Sequence, residues 1–533
     1  MAISRRACEC GGSSCGVGPT TPCIDALSAA TWRCWWPEPG RRPMRRRRAA
    51  GSANSKRSKP GDTDILAPEM EQTQGSGRII AGIGRRPLLA PTALLLAVLV
   101  VVAIAGSWAK AQSFWGIDYY QFWVVGQAVA GLDAHDVYSD SERRRIGEAF
   151  LRKAQEDGVS QRQIRVAQYR VNLENYSTPF LYAFLHLFAS GDYDTDLARH
   201  RALSLASMLL AIFGVCRLLR FSGAVTLAMV LACIVWFDPF LSELRVSNVN
   251  ALQLGLLVLF LCLMRARRVP QRQLLAGALL GMTVMFKPNL ALVAVLLAAA
   301  WAIHRRWAKL SMVGLGFGVG VLVALGWSSA FFGSAHVWLD WFAAVRSMPA
   351  AIIGIGVGNY APVKLIPGWN GVGFSIAVLV LLVGVVLGFA CWSRRDACAS
   401  GAATPMGEGP DRESVEDTLF LGAGCLIYLL SAPLVWQHYF VLTVPILVLV
   451  FRPTGSSNPA GVSELLARRI LPVTALLLLN AKPLWAALPL SHESFFPVAN
   501  GIAVLLLYGL SLWQIHHLDS GRWDFGPGAR LDD

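Results

Sequence analysis

Four stretches, with six polar residues between them, stand out because each interrupts apolar, aromatic-rich sequence with side chains that can move a proton or hold an anion. Asp118 lies in SFWGIDYYQFWVVGQA, flanked by Trp115, Tyr119, Tyr120 and Trp123. A carboxylate set among rings at a membrane surface can take a proton from a hydroxyl nucleophile, while Tyr119 and Tyr120 hold a sugar or a lipid. The same pattern also fits an aromatic belt whose aspartate caps a helix. Lys287, in VMFKPNLAL, sits between two apolar runs, where an ammonium can hold a lipid phosphate or snorkel from a turn. Asn248 and Asn250, with Arg245, stand in ELRVSNVNALQ and offer contacts to sugar hydroxyls or phosphate, or else helix caps. His438 follows Trp436 in LLSAPLVWQHYFVLTVP. Its imidazole can bond a phosphate or orient an acceptor beside the Trp436 ring, although a lone interfacial histidine also serves structure alone. Metal is not expected: Cys8, Cys10 and Cys15 lack paired CxxC spacing and histidine partners.

The elements that carry these positions follow from composition. Of 533 residues, 54% are hydrophobic and only 15% charged, against about 25% charged in soluble domains, which excludes an ordinary soluble enzyme. Apolar runs such as 87–109, 246–264, 310–335 and 365–393 reach the roughly 20 residues that a spanning helix needs. Short alternating segments of the barrel kind are absent, so the expected class is all-α, a polytopic helical membrane protein. Twelve runs can be placed, at 87–109, 200–219, 222–241, 249–265, 273–286, 289–303, 310–332, 372–393, 418–433, 437–452, 469–486 and 498–516, giving about 12 transmembrane helices. The net charge of +14 gathers at the ends of these runs, so it speaks of topology and not of nucleic acid. With the N-terminus inside, fifteen Arg and Lys residues fall in cytoplasmic loops and five (Arg245, Lys287, Arg346, Lys364 and Lys482) in outer connections. Both termini are then cytoplasmic, and all four stretches face the extracytoplasmic side of a cell (inner) membrane.

Three segments fall outside this ladder. Residues 1–80, with Arg45 to Arg48 and SANSKRSKPGD, hold too little apolar surface to fold, show no signal-peptide pattern, and are expected to be a disordered cytoplasmic segment. The domain proper is 87–516, followed by a cytoplasmic tail, 517–533. Within it, 110–199 forms a long outer loop. There Ser139 and Glu142 have capping-box spacing, and Ile146, Phe150 and Ala154 share a helical face, which predicts an interfacial helix on the outer leaflet. Tyr176 to Ala189 is apolar but short, and reads as a partial or re-entrant helix.

In combination, these segments resemble glycosyltransferase family 87, within the GT-C superfamily of polytopic, polyprenyl-phosphate-mannose-dependent mannosyltransferase-like enzymes. The resemblance rests on Asp118 with trailing aromatics after the first span, the Tyr176 to Pro179 stretch, NVNALQLGLL followed by AGALLGMTVMFKPNLALV and RRW, and SAPLVWQHYFVLTVP. Ser247-Asn248 stands where Gly-Gln is usual, Thr178 replaces one proline, and Val435 replaces a common serine. The resemblance implies a GT-C-like fold with a long first outer loop, a catalytic Asp matching Asp118 and an outer-face His matching His438. It further implies a metal-independent, inverting hexosyl transfer without cofactor, from a polyprenyl-phosphate sugar in the bilayer to a lipid or glycan acceptor, with Asp118 as general base. A transporter or flippase of lipid-linked saccharides is the competing class. Inverted halves with matching broken helices are its best sign, and the sequence shows no such repeat. A scaffold subunit would leave Asp118 replaceable.

The charge count makes the orientation testable. Cysteines substituted near Ser160 should react with an impermeant thiol reagent added outside, and those near Ala266 should not. Outside labelling of Ala266 would invert the topology.

Overall fold

The computed structural model describes residues 89–519 apart from 133, 135, 266–268, 350–358, 367–370, 400–409, 453–461 and 481–491. The expectations for 1–80, for Cys8, Cys10 and Cys15, and for most of 517–533 lie outside the described residues. The described chain is helical, without a strand. After α1 (Leu89–Gln112) come four helices of the long first loop: α2 (Ile117–Gly131), α3 (Asp140–Glu156), α4 (Gln161–Tyr169) and α5 (Pro179–His186). The bundle continues through α6 (Tyr193–Leu218), α7 (Gly223–Trp236), α8 (Asp238–Val246), α9 (Asn250–Arg265), α10 (Pro270–Phe286), α11 (Ala291–Ile303) and α12 (Trp307–Phe332). It closes with α13 (Val337–Arg346), α14 (Val372–Ala399), α15 (Pro410–Ser431), α16 (Val444–Val450), α17 (Val462–Leu465), α18 (Leu471–Leu479) and α19 (His492–Asp519).

The described parts of the twelve apolar runs are mostly helical, but they do not make twelve full spans. Six described helices are long and apolar enough to cross a bilayer, or seven if α7 and α8 count as one span bent by 58°. The bend in the 222–241 run has a local cause: Pro239 cannot donate to the preceding turn, so a new helix starts at Asp238. The segments 250–265, 288–303 and 437–450 are shorter apolar helices. Among the spans, α1 is exposed along almost its whole length, as a helix apolar all round can be in lipid, whereas α15 is buried throughout.

Two cores result. One fills the helix bundle; the other lies under α2 to α5 and the adjoining ends of α6, α10 and α12. The face formed by Ile146, Phe150 and Ala154 exists as expected but turns into this second core, where Phe150 meets Trp123 edge to face at 5.8 Å. It therefore packs on protein and not on the leaflet. The capping box fails too: Ser139 makes no cap bond, and Glu142 pairs with Arg145 instead. Tyr176 to Ala189 contains only the eight-residue α5, wedged between α2 and α12, in line with a partial helix. At the opposite end of the bundle, Arg306 and Lys309 bond Glu416 and Asp417 at 2.9 and 2.7 Å, tying α12 to α15.

Helices α10 and α12 make the most extensive pairing among the described elements, and small residues permit it. Gly277 and Gly281 on α10 face Gly316 and Gly320 on α12, so closely that a Cβ at any of them would lie 2.1–2.3 Å from a backbone oxygen of the other helix. Gly281→Ala or Gly320→Ala should therefore force the helices apart and cost about 1–3 kcal/mol, the usual scale of overpacking. Gly314→Ala and Gly318→Ala on α12, which meet open space, should be near neutral. Thermal unfolding of the detergent-solubilised protein separates the two sets; equal midpoints would contradict the close packing.

Candidate active site

Local backbone sets Asp118. Gly116 adopts φ 70°, a left-handed conformation, and a Cβ there would strike Leu197 at 2.4 Å, so only glycine turns the chain sharply enough to start α2 at Ile117. Gly116 holds the cap position, leaving Asp118 in the first turn with its carboxylate free for other partners. Its Oδ2 accepts from Asn248 Nδ2 at 2.7 Å, and its Oδ1 lies 3.3 Å from the Arg170 guanidinium. The helix-cap alternative is thereby set aside.

The turn between α8 and α9 supplies Asn248. Ser247 sits at φ 58°, where glycine is at ease and serine is strained. The substitution is held by bonds: Arg201 donates to Ser247 Oγ at 3.1 Å, and Oγ donates to Leu244 O at 3.1 Å. His200 Nε2 bonds the Asn248 carbonyl at 2.9 Å. Lys287 follows α10 and extends its Nζ to Asn248 Oδ1 at 3.0 Å and Asn250 Oδ1 at 2.8 Å, over the Tyr439 ring at 4.3 Å. Thr178, in the place of a proline, donates to the Met285 carbonyl at 2.7 Å and caps α5, anchoring that helix beside Lys287.

Asp118, Asn248, Lys287 and Thr178 line a cavity of about 410 Å³. Its charged wall consists of Asp118, Arg170, Glu174 and Lys287, and its rings are Phe122, Tyr176, Phe286, Trp341, Trp436 and Tyr439. His438 is buried just behind, with Nε2 at 3.7 Å from Asp118 Oδ2 and no hydrogen-bond partner. Burial raises the Asp118 pKa above that of an ordinary aspartate, opposed by Arg170, Asn248 and Lys287 and reinforced by Glu174. Burial lowers that of Lys287, opposed by Glu243 and Asp118. Several helices start here: α2 at Ile117, α5 at Pro179, α9 at Asn250, the 288–303 helix after Lys287, and the turn of 437–443. The positive ends of their dipoles favour an anion.

Asp118, Asn248, Lys287 and Trp436 thus meet at one cavity, with Asn250 and His438 directly behind it. Tyr119, Tyr120 and Arg245 do not. Tyr119 stacks on His200 at 4.5 Å and borders a separate cavity, while Tyr120 is buried against Trp123 and Tyr193. Helical geometry explains this: from Asp118 the same face returns at Gln121 and Phe122, which line the cavity, and not at the next two residues. Arg245 sits two positions from Glu243 on α8, on the other side of that helix, exposed beside Lys110 in a small niche. Sequence reasoning misses Arg170 and Glu243. Arg170 lies in the long first loop, without apolar periodicity, but Glu243, an acid at the end of an apolar run, carries a usable signal. Among the described residues no group of three His, Cys, Asp or Glu side chains could hold a metal ion.

No curated protein and no solved structure matches the chain. A family model does, over a stretch that holds Thr178, Glu243, Asn248 and Lys287 and leaves Asp118, Arg170 and His438 outside. Residues 176–406, under half of the 533-residue chain, match glycosyltransferase family 87, the family that the motifs resemble.

Proposed function

We propose that the chain is a hexosyltransferase, mannosyltransferase-like, which moves a sugar from a polyprenyl-phosphate donor to a lipid or glycan acceptor on the outer side of a cell membrane. The observation that carries this reading is the placing of a carboxylate, Asp118, between two cations, Arg170 and Lys287, on one wall of a ring-lined cavity. Asp118 takes the proton of the acceptor hydroxyl as its oxygen forms a bond to the anomeric carbon. The bond from that carbon to the phosphate oxygen breaks, the anomeric configuration inverts, and polyprenyl phosphate leaves with the bonding electrons. Lys287, with two of its three N–H bonds given to asparagines, keeps one for the phosphate, and Arg170 and the surrounding helix starts add positive potential. His438, with Nε2 unbonded 3.7 Å from Asp118 Oδ2, is left to orient the acceptor beside that carboxylate. Arg245, outside the cavity, takes no part. The fifteen-to-five charge count supports an outward-facing site, and the grouping of polar residues at one end of the helices supports an enzyme over a flippase, which places them near mid-membrane.

Asp118→Asn keeps the shape and the contact with Asn248 but cannot accept a proton, so turnover should fall about 10²–10⁴-fold with expression retained. Near-normal transfer of a labelled polyprenyl-phosphate sugar into a membrane acceptor fraction would remove the base. The pH profile adds a second check. Because burial raises the Asp118 pKa, kcat/KM should fall on acidification with a midpoint above the ordinary aspartate value of about 3.9. Arg170→Gln deletes a cation that favours the carboxylate, so the acid limb should move to higher pH; a limb that stays or moves down would dissociate it from Asp118.

A further inference from the structure

Beneath the cavity, on α8, Glu243 is wholly buried. A carboxylate in such a place is expensive unless it is paired. Its Oε1 accepts from the Ala251 N–H at 3.1 Å and its Oε2 from Asn250 Nδ2 at 3.0 Å. Asn250 Oδ1 in turn accepts from Lys287 Nζ at 2.8 Å. On the other side, Lys287 donates to Asn248 Oδ1 at 3.0 Å, and Asn248 Nδ2 donates to Asp118 at 2.7 Å. The order is carboxylate, amide, ammonium, amide, carboxylate. Each amide turns its oxygen to the ammonium and its nitrogen to an acid, so one ammonium is shared between an outer and an inner carboxylate.

The two carboxylates have different fates in the reaction proposed above, on which this inference rests. Asp118 loses its charge whenever it takes the acceptor proton, whereas Glu243, which the cavity does not reach, touches no substrate. We propose that Glu243 is a positioning residue whose buried charge, relayed by Asn250, keeps Lys287 an ammonium aimed into the cavity while Asp118 is neutral. Without it, Lys287 would give up its proton more readily in the half of the cycle when the phosphate leaves. The charged and titratable groups that face Lys287 are Asp118 from α2, with Arg170 beyond it, Glu243 from α8, and His438 and Tyr439 from the turn before α16.

The test reads the ionisation of Lys287 directly. The full chain in detergent is pulsed with acetic anhydride over a pH series, and acetylation of Lys287 is followed by mass spectrometry of its peptide; only the neutral amine reacts. Loss of a neighbouring negative charge favours the neutral amine, so in Glu243→Gln the half-point should fall by about one pH unit or more. Glu243→Asp, which keeps the charge, should restore it. If Glu243→Gln does not fold, Asn250→Ala cuts the relay and should lower the half-point likewise. An unchanged half-point in a folded Glu243→Gln or Asn250→Ala protein overturns the proposal. In sugar transfer, Glu243→Gln should lower kcat several-fold with a smaller change in the donor KM, and a change confined to KM also overturns it. The acetylation result needs no turnover, so absence of transfer by the unaltered protein would count against the hexosyltransferase reading alone.

Discussion

One side-chain amide governs the polar end of this bundle. Asn248 presents its Nδ2 to Asp118 and its Oδ1 to Lys287, and no other residue type of its length offers a donor and an acceptor in that fixed relation. Aspartate in its place would repel Asp118, and leucine would leave two opposite charges in a poorly hydrated cleft. Three chain segments distant in sequence, the start of α2, the turn between α8 and α9, and the end of α10, are brought to one point by this amide. The strain accepted at Ser247 and the bonds from His200 and Arg201 read as the means of holding Asn248 still.

Much of this arrangement is legible in the amino-acid order alone, and for a definite reason. A chain that crosses a membrane repeatedly returns to the same side at every second turn, so counting apolar runs assigns Asp118, Asn248, Lys287 and His438 to one face. What counting cannot supply is azimuth. Tyr119 and Tyr120 are neighbours of Asp118 in sequence, but a helix rotates by roughly a hundred degrees per residue, and they face the core beneath the long first loop. Arg245 is misplaced for the same reason, two residues from Glu243 on α8. Arg170 is hidden differently: it comes from a loop helix whose position depends on packing between α3, α4 and α2, a tertiary fact with no local signature.

Helix α3 of the long first loop shows a related limit. Periodicity gives its apolar face correctly, yet an exposed leaflet and a protein core are equally good solvents for Ile146, Phe150 and Ala154. Only the presence of a second core under α2 to α5 decides between them. That core in turn gives the cavity a rigid roof, since Trp341 donates to the Tyr176 carbonyl at 3.0 Å and Tyr138 to that of Ser177 at 2.8 Å.

The three short helices have a consequence for the space inside the bundle. At 1.5 Å per residue, the sixteen residues of α9 reach about 24 Å, against about 30 Å of hydrocarbon, and the helices that begin at Pro288 and Gln437 are no longer than α9 in residues. Helix α9 and the 437–450 segment are buried among the other helices, and Asn248, Pro288 and Trp436, at or near the starts of the three, line the cavity. Their shortness is therefore taken up within the protein: it leaves room for a polar cleft at one end, while longer and little-buried helices such as α1 and α14 supply apolar length around it.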